Sequence, residues 1–473
     1  NVRTSFNSFI PRNVNNQLAK KLIEFCITWL EDNPEEHDKV EFNVIPSCFD
    51  LDFHRWINRF ESSGDFSSHE IQEIEDSLRD LTSNAMLRGK KDLQQVALLD
   101  KRFYELKESN INKLDKVFAL LDDAKVFGTL PFAHLARSAF IAVSLLNSAV
   151  SNSIISIKDR EDFLNSIRTV SHDLTSDALN CKKGKLEWNK FVERYGHLRP
   201  GTYDILSLSY KNDPERYLKP LLNQSSKYLN DSNSNAGNLW SSSKERFFNA
   251  LKKAGLPYKA ELVENFLRSS IEGREYAKFI FSRNLSFALD LLGEWALEHG
   301  VDLEVMSHIS IADIRNAKSD LVNKSYIERW LREKASIAAS QHSIVEAIEL
   351  PPLICNSHAF SFFEYPSTEP NFVGFNRVTA RVVNLDKDET IDCDLENVIV
   401  MIPQADPGYD WLFGRRIAGL ITKFGGANSH MAIRAAEFEL PAALGIGETR
   451  YRALANSFEL ELDPANKIIR TLS

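Results

Sequence analysis

The densest chemistry in this chain lies between Gly419 and Glu437, where Gly-Leu-Ile-Thr-Lys-Phe runs into Gly-Gly-Ala-Asn-Ser-His-Met-Ala-Ile-Arg-Ala-Ala-Glu. The apolar run predicts a strand, Gly425-Gly426 a turn, and Asn428-Ser429 the start of a helix with His430 in its first turn. Glycines without side chains let an anionic ligand reach the backbone, and the unpaired N–H groups of a helix start receive phosphate oxygens. The positive end of the helix dipole disfavours imidazolium, so His430 stays neutral and nucleophilic, and a phosphoryl group on its ring is then stabilised. The predicted chemistry is a phosphohistidine carrier. His430 is its catalytic residue, and Gly425, Gly426, Asn428, Ser429 and Arg434 are its phosphate-binding residues. The plain alternative is an ordinary capping turn, but none of the other histidines among the chain's 11 has this context.

Three further stretches collect polar side chains. Phe191 to Asp204 is a helix running into a Gly- and Pro-punctuated loop, and it gathers Tyr195, His197, Arg199, Tyr203 and Asp204 as a candidate pocket wall. Gly128 to Arg137 opens a helix, with Arg137 about one and a half turns in. Arg274, Glu275, Lys278 and Arg283 form a charged stripe on an otherwise apolar helix. Each of these reads equally as a paired helix end or a solvated face.

The first motif resembles the swivelling phosphohistidine domain of the phosphoenolpyruvate-utilising enzymes, the family of phosphoenolpyruvate synthase, pyruvate phosphate dikinase and rifampicin phosphotransferase. Gly425, Gly426, Ser429, His430, Ala432 and Ile433 match its Gly-Gly-x-x-Ser-His-x-Ala-Ile pattern, and Leu440 to Gly445 matches the usual continuation. The family helix reads Ala-Ile-Val-Ala-Arg, whereas Arg434 and Ala436 stand at its Val and Arg positions, so Arg434 is expected to supply a similar charge one turn after His430. Leu130 to Ala133, Tyr195 to Asp204 and Asp406-Pro407-Gly408-Tyr409-Asp410-Trp411 are similar to the branch that phosphorylates the amide nitrogen of L-glutamine for capsule phosphoramidate.

The resemblance implies a dikinase-type phosphotransferase. ATP with Mg2+, bound by an ATP-grasp domain of the same polypeptide, pyrophosphorylates His430 and releases AMP. Water removes the outer phosphate, and the remaining phosphoryl passes to a small acceptor. L-glutamine is the expected acceptor; an antibiotic hydroxyl, a phosphoenolpyruvate synthase-like reaction and a non-catalytic phosphate relay stay open. An amino-acid amide needs cations, an ammonium acceptor and a base. Arg137, Arg199, Arg274 and Arg283 suit the first need, Asp204 and Glu275 the second, and His197, with a pKa near working pH, the third. No residue is assigned to a metal.

Those residues must be carried by the elements around them. The 473 residues suggest about three folding units at ~150 residues each. From Ser68 to Leu350 the spacing is helical, with Phe132 to Leu146, Glu161 to Leu179, Ala260 to His299 and Ile327 to Leu350 the clearest runs. Gln17 to Leu30 predicts a helix and Val40 to Pro46 a strand. Residues 1–60 are therefore expected to be the tail of an ATP-grasp domain whose nucleotide loop is not in this sequence, or a linker. Residues 61–350 form a large α-helical acceptor domain, 351–375 a hinge, and 376–473 an α/β swivelling domain with no phosphoenolpyruvate-binding barrel after it. Gln224 to Lys244, crowded with Ser and Asn, predicts a surface loop. A net charge of -9 provides no basic field for nucleic acid or anionic lipid. Five scattered cysteines without a CxxC pair suit a reducing cytoplasm, and no signal or membrane-spanning pattern is evident.

Overall fold

The computed structural model describes residues 2–37, 40–223, 236–320, 323–348, 350, 353–354, 358, 369–385, 395–426 and 429–472. A mostly helical N-terminal region precedes a C-terminal region built on a sheet. The helical region is organised by Ala260–Glu298, which packs against Ser68–Glu108, Lys113–Asp123 and Leu130–Ser151. Val263, Phe266, Leu267, Ala277, Ile280, Phe281, Leu291 and Trp295 fall at helical spacing and are buried, which turns one stripe of the helix inward. Ser68–Glu108 begins at a capping box in which Ser67 accepts from the Glu70 N–H and Glu70 accepts from the Ser67 N–H. Within Lys113–Ser151, one 18-residue window reaches a mean hydropathy of 1.4, enough to cross a membrane by length and composition, although a core helix has the same property.

Residues 1–60 depart from expectation. They contain no strand among the described residues: Asn16–Asp32 and His54–Ser63 are α-helices, and Val40–Val44 is a π-helical turn instead of a strand. Phe6, Leu22, Cys26, Trp56 and Phe60 share one core with Ile141, Leu145, Phe163, Phe247 and Phe266. This segment is thus part of the helical region, because its apolar residues find their burial there. Glu161 to Leu179 also divides, into Ile157–Asn165 and Val170–Lys182, with Thr169 as the N-cap of the second helix. The predicted loop Gln224 to Lys244 is helical in its second half, inside Ala236–Lys253, where Trp240, Phe247 and Leu251 are buried. Residues 224–235 lie outside the described residues.

Among the described residues the sheet has seven strands in the order β1-β5-β4-β3-β2-β6-β7. They are β1 (Asn371–Val373), β2 (Val378–Asn384), β3 (Ile399–Gln404), β4 (Gly419–Phe424), β5 (Ala442–Leu444), β6 (Glu459–Asp463) and β7 (Ile468–Thr471). β2, β3, β4 and β5 are parallel, while β1, β6 and β7 are antiparallel to their neighbours. Ile399 to Ile402 and Gly419 to Thr422 are buried throughout, as strands covered on both faces must be. Ile399, Met401 and Ile421 meet Tyr451 and Leu454 on one face. Val400, Ile402 and Leu420 share the other with Met431, Ala435 and the helical region's Leu174, Phe191 and Tyr217. Since β1 pairs with β5 from Asn371, the sheet begins five residues ahead of the expected 376 boundary. Of the expected hinge, residues 351–352, 355–357 and 359–368 lie outside the described residues.

Candidate functional site

The carboxyl ends of the parallel strands meet at one edge, the usual ligand side of such sheets. β4 ends at Phe424, and the chain turns through Gly425 into the eight-residue helix His430–Glu437. Gly425 has φ 142°, and a Cβ there would stand 2.5 Å from the Ala405 Cβ at the end of β3, so a side chain is excluded on both grounds. At Gly426 a Cβ would meet nothing within 4 Å, so that side of the turn is open. The Ser429 N–H donates to the Gly426 carbonyl at 3.0 Å, and its side chain caps the helix by accepting from the Ala432 N–H at 3.3 Å. Strand, glycine turn and helix follow in the expected order, the helix running from His430 with Ser429 as its N-cap. The first N–H groups of such a helix lack intrahelical backbone partners; the Ala432 N–H is met by Ser429. Asn428 lies outside the described residues.

Arg434, predicted as a phosphate ligand, is 1% exposed and turned into the seam with the helical region. Its Nε lies 3.4 Å from Asp410, one Nη donates to Thr175 Oγ1 at 3.1 Å, and the guanidinium lies over the Phe413 and Phe438 rings at 5.3 and 4.6 Å. In this arrangement it joins the His430–Glu437 helix to the helical region.

That seam is close. A Cβ on Gly408 would stand 1.9 Å from the Arg199 carbonyl oxygen, so only glycine admits the contact. The Tyr210 hydroxyl donates to the Gly408 carbonyl at 2.7 Å, Thr202 Oγ1 donates to Asp406 at 3.0 Å, and Lys278 pairs with Asp406 at 3.5 Å. A cleft opens along this seam. His197, Arg199, Thr202, Glu275 and Lys278 line it from the helical side, over an apolar floor that includes Leu174 and Phe279, and Asp406, Gly408 and Asp410 line it from the sheet side.

Of the predicted acceptor-binding residues, the cleft collects His197, Arg199 and Glu275. Two of these have other tasks than those expected. Arg199 is 3% exposed, and each of its five donors is engaged. Nε donates to Ser286 Oγ, one Nη to the Asp204 and Ser207 carbonyls, and the other to the Ser286 carbonyl and to Asp290 at 2.7 Å. It staples the loop to Ala260–Glu298 and keeps no donor for a ligand carboxylate. His197 does not titrate near working pH as its residue type suggests; burial, and then the Arg283 charge, push its pKa down to about 3. The ring is neutral, its Nε2 lies 3.1 Å from the Phe279 carbonyl, and it packs edge-on against the Phe279 ring. It is too weak a base for the role predicted.

The remaining predicted residues lie apart from the cleft lining. Arg137 donates to the Ser8 and Phe9 carbonyls at 3.2 Å each. Arg283 pairs with Asp100 at 2.7 Å and stacks 4.0 Å from the Phe103 ring centroid. Arg274 lies 3.9 Å from Glu275 and over the Phe140 ring. Tyr195 donates to Asp177 at 2.9 Å, and Asp204 closes a turn by accepting from the Leu206 N–H. Tyr203 is 72% exposed. Sequence reasoning left Thr202, Asp406, Gly408 and Asp410 out of the site, and had Lys278 only as part of the charged stripe. The available signal was Asp406-Pro407-Gly408-Tyr409-Asp410, which sets two carboxylates around a Pro-Gly turn. Among the described residues, no three His, Cys, Asp or Glu side chains are placed to hold a metal ion.

Residues 394–466, which hold β3, β4, β5, the glycine turn and the helix after it, match the family model of the PEP-utilising enzyme, mobile domain. The match supports the PEP-utilising family and, with it, phosphohistidine-based phosphotransfer by a phosphotransferase kind of enzyme. No curated protein matches the chain.

Proposed function

We propose that this chain is the carrier and acceptor portion of an ATP-dependent phosphotransferase of the L-glutamine kinase type. The observation that carries the reading is the junction of β4 with the His430–Glu437 helix. There, β4 gives way to Gly425 and the open Gly426, and a helix capped by Ser429 begins at His430, within the span of the mobile-domain match.

In the reaction, a ring nitrogen of His430 attacks ATP, supplied with Mg2+ by an ATP-grasp domain, and AMP leaves. Water then removes the outer phosphate. The amide nitrogen of L-glutamine takes the remaining phosphoryl as the bond to the imidazole breaks, and the amide gives up a proton. Transfer of this kind asks for placement and charge neutralisation more than covalent assistance. The turn's N–H groups and the helix dipole meet the anionic charge on the carrier, and the cleft beside the seam holds the acceptor. Capsule phosphoramidate synthesis in the cytoplasm is the setting this reading implies.

The test is phosphopeptide mapping under alkaline conditions, which preserve phosphohistidine, on full-length protein treated with ATP and Mg2+. The phosphate is expected on the peptide holding His430 and on no other; label on another residue sinks the reading.

A further inference from the structure

The first four residues of β4, Gly419 to Thr422, are buried, and Thr422 is the polar one among them, at 0% exposure. A hydroxyl sealed in an apolar strand is costly unless it is hydrogen-bonded. The two bonds of this one go to the two glycine loops at the carboxyl edge of the sheet. Thr422 Oγ1 donates to the Phe424 carbonyl at 3.0 Å and accepts from the Gly445 N–H at 3.1 Å.

Each bond fixes a piece of backbone. The Phe424 carbonyl belongs to the peptide that joins β4 to Gly425, and it also accepts from the Ala405 N–H at 3.1 Å. A trans peptide is planar, so holding that carbonyl turns the Gly425 N–H the opposite way and sets how the chain leaves the strand. The chain is anchored again where the Ser429 N–H donates to the Gly426 carbonyl, one residue before the helix begins at His430. On the other side stands Gly445, at φ 68°, so close that a Cβ there would collide with the Gly425 carbonyl oxygen. The loop after it is pinned to the same strand: the Ile446 N–H donates to the Thr422 carbonyl at 3.0 Å and the Gly447 N–H to the Lys423 carbonyl at 3.1 Å. Thr422 is thus common to both loops.

From this we infer that Thr422 is a positioning residue for phosphorylation of His430, its hydroxyl setting the turn from which the His430 helix starts. Because the hydroxyl is sealed from solvent, it acts through Phe424, Gly425 and Gly445 and not on the phosphoryl group itself. The inference rests on the carrier reading and adds to it the residue that fixes the carrier turn. Loss of the hydroxyl releases one hold on the Phe424–Gly425 peptide and leaves the Gly445 N–H without its acceptor.

The experiment follows labelling of His430 by ATP and Mg2+ in full-length protein, in single turnovers over a range of ATP concentrations. Thr422→Val keeps the shape of the side chain and removes the hydroxyl; Thr422→Ser keeps the hydroxyl and removes the methyl. Thr422→Val is expected to lower the maximal labelling rate at least about tenfold, as misplaced reacting groups do, with the half-saturating ATP concentration unchanged. Thr422→Ser is expected to label close to wild type, even where its melting temperature is the lower of the two. A role in stability alone gives the opposite, rates that follow the melting temperatures. If Thr422→Val does not fold, Thr422→Ala and Thr422→Ser, which both lack the methyl, make the same comparison of hydroxyl absent and present. Wild-type labelling without the hydroxyl, or equal loss with and without it, overturns the inference. Label in wild type with Thr422→Val unaffected removes this inference alone, whereas no label in wild type removes the carrier reading and the inference with it.

Discussion

The guanidinium of Arg434 and the carboxylate of Asp410 lie 3.4 Å apart with both side chains sealed from water. Arg434 comes from the helix that begins at His430, and Asp410 from the segment after β3, so the pair ties the carrier helix to the part of the sheet region that meets the helical region. Removing one partner strands a buried charge, which costs about 3–5 kcal/mol. Arg434→Met is therefore expected to lower stability by that amount in denaturant titration, and Arg434→Met with Asp410→Asn together to recover much of the loss. Equal stability of the single and double variants would show that the pair is not coupled.

Gly408 is the tightest point of the seam. Its Cβ-less backbone meets the Arg199 carbonyl, and neither backbone has a flexible side chain to move aside. Gly408→Ala is expected to leave each region folded while separating them, seen as faster exchange around 409–416 and as transfer to acceptor lowered at least about tenfold, with His430 still phosphorylated. Unchanged exchange at the seam would contradict this account of docking.

Arg199 illustrates where reading by residue type ends. Its location in a polar loop was legible, but three of the five bonds that consume its donors go to Ser286 and Asp290 on a helix about 90 residues away. Arg199→Lys, with three donors in place of a planar fork of five, is expected to destabilise the 200–210 loop nearly as much as Arg199→Ala. Melting temperature and local hydrogen exchange report this. Loss of acceptor binding in Arg199→Lys with the loop's exchange unchanged would return Arg199 to the ligand side.

Long helices and the strand, glycine turn and helix around His430 were legible for physical reasons. Ala260–Glu298 and Lys324–Glu346 repeat apolar residues at helical spacing, and Gly425, Ser429 and His430 have turn and cap chemistry that depends on near neighbours alone. Val40 to Pro46 misled because an alternating run also fits a π-helical turn when a larger core covers it. The cleft was illegible for a different reason: its carboxylates Asp406 and Asp410 sit about 130 residues or more in sequence from Lys278 and His197, and only packing brings them together.

His197 has a folded-state pKa of about 3 against an ordinary 6.5, so folding favours its neutral form. Its contribution to stability is fully present above about pH 6.5 and is lost as pH falls from there toward 3. His197→Gln is expected to flatten the decline of stability over that window in denaturant titrations at stepped pH. The pH profile of the transfer step near neutrality is expected to keep its shape in the same variant, since a neutral ring does not titrate there. An inflection near pH 6.5 that vanishes in His197→Gln would restore the imidazole as a base.

Phosphorus NMR of full-length protein with ATP, Mg2+ and L-glutamine bears most directly on the carrier and its acceptor. The account predicts AMP, inorganic phosphate and a product with a phosphorus–nitrogen bond on the glutamine amide, all three absent in His430→Asn while its fold is retained. Undiminished AMP formation in His430→Asn, or a product esterified through oxygen, would contradict it.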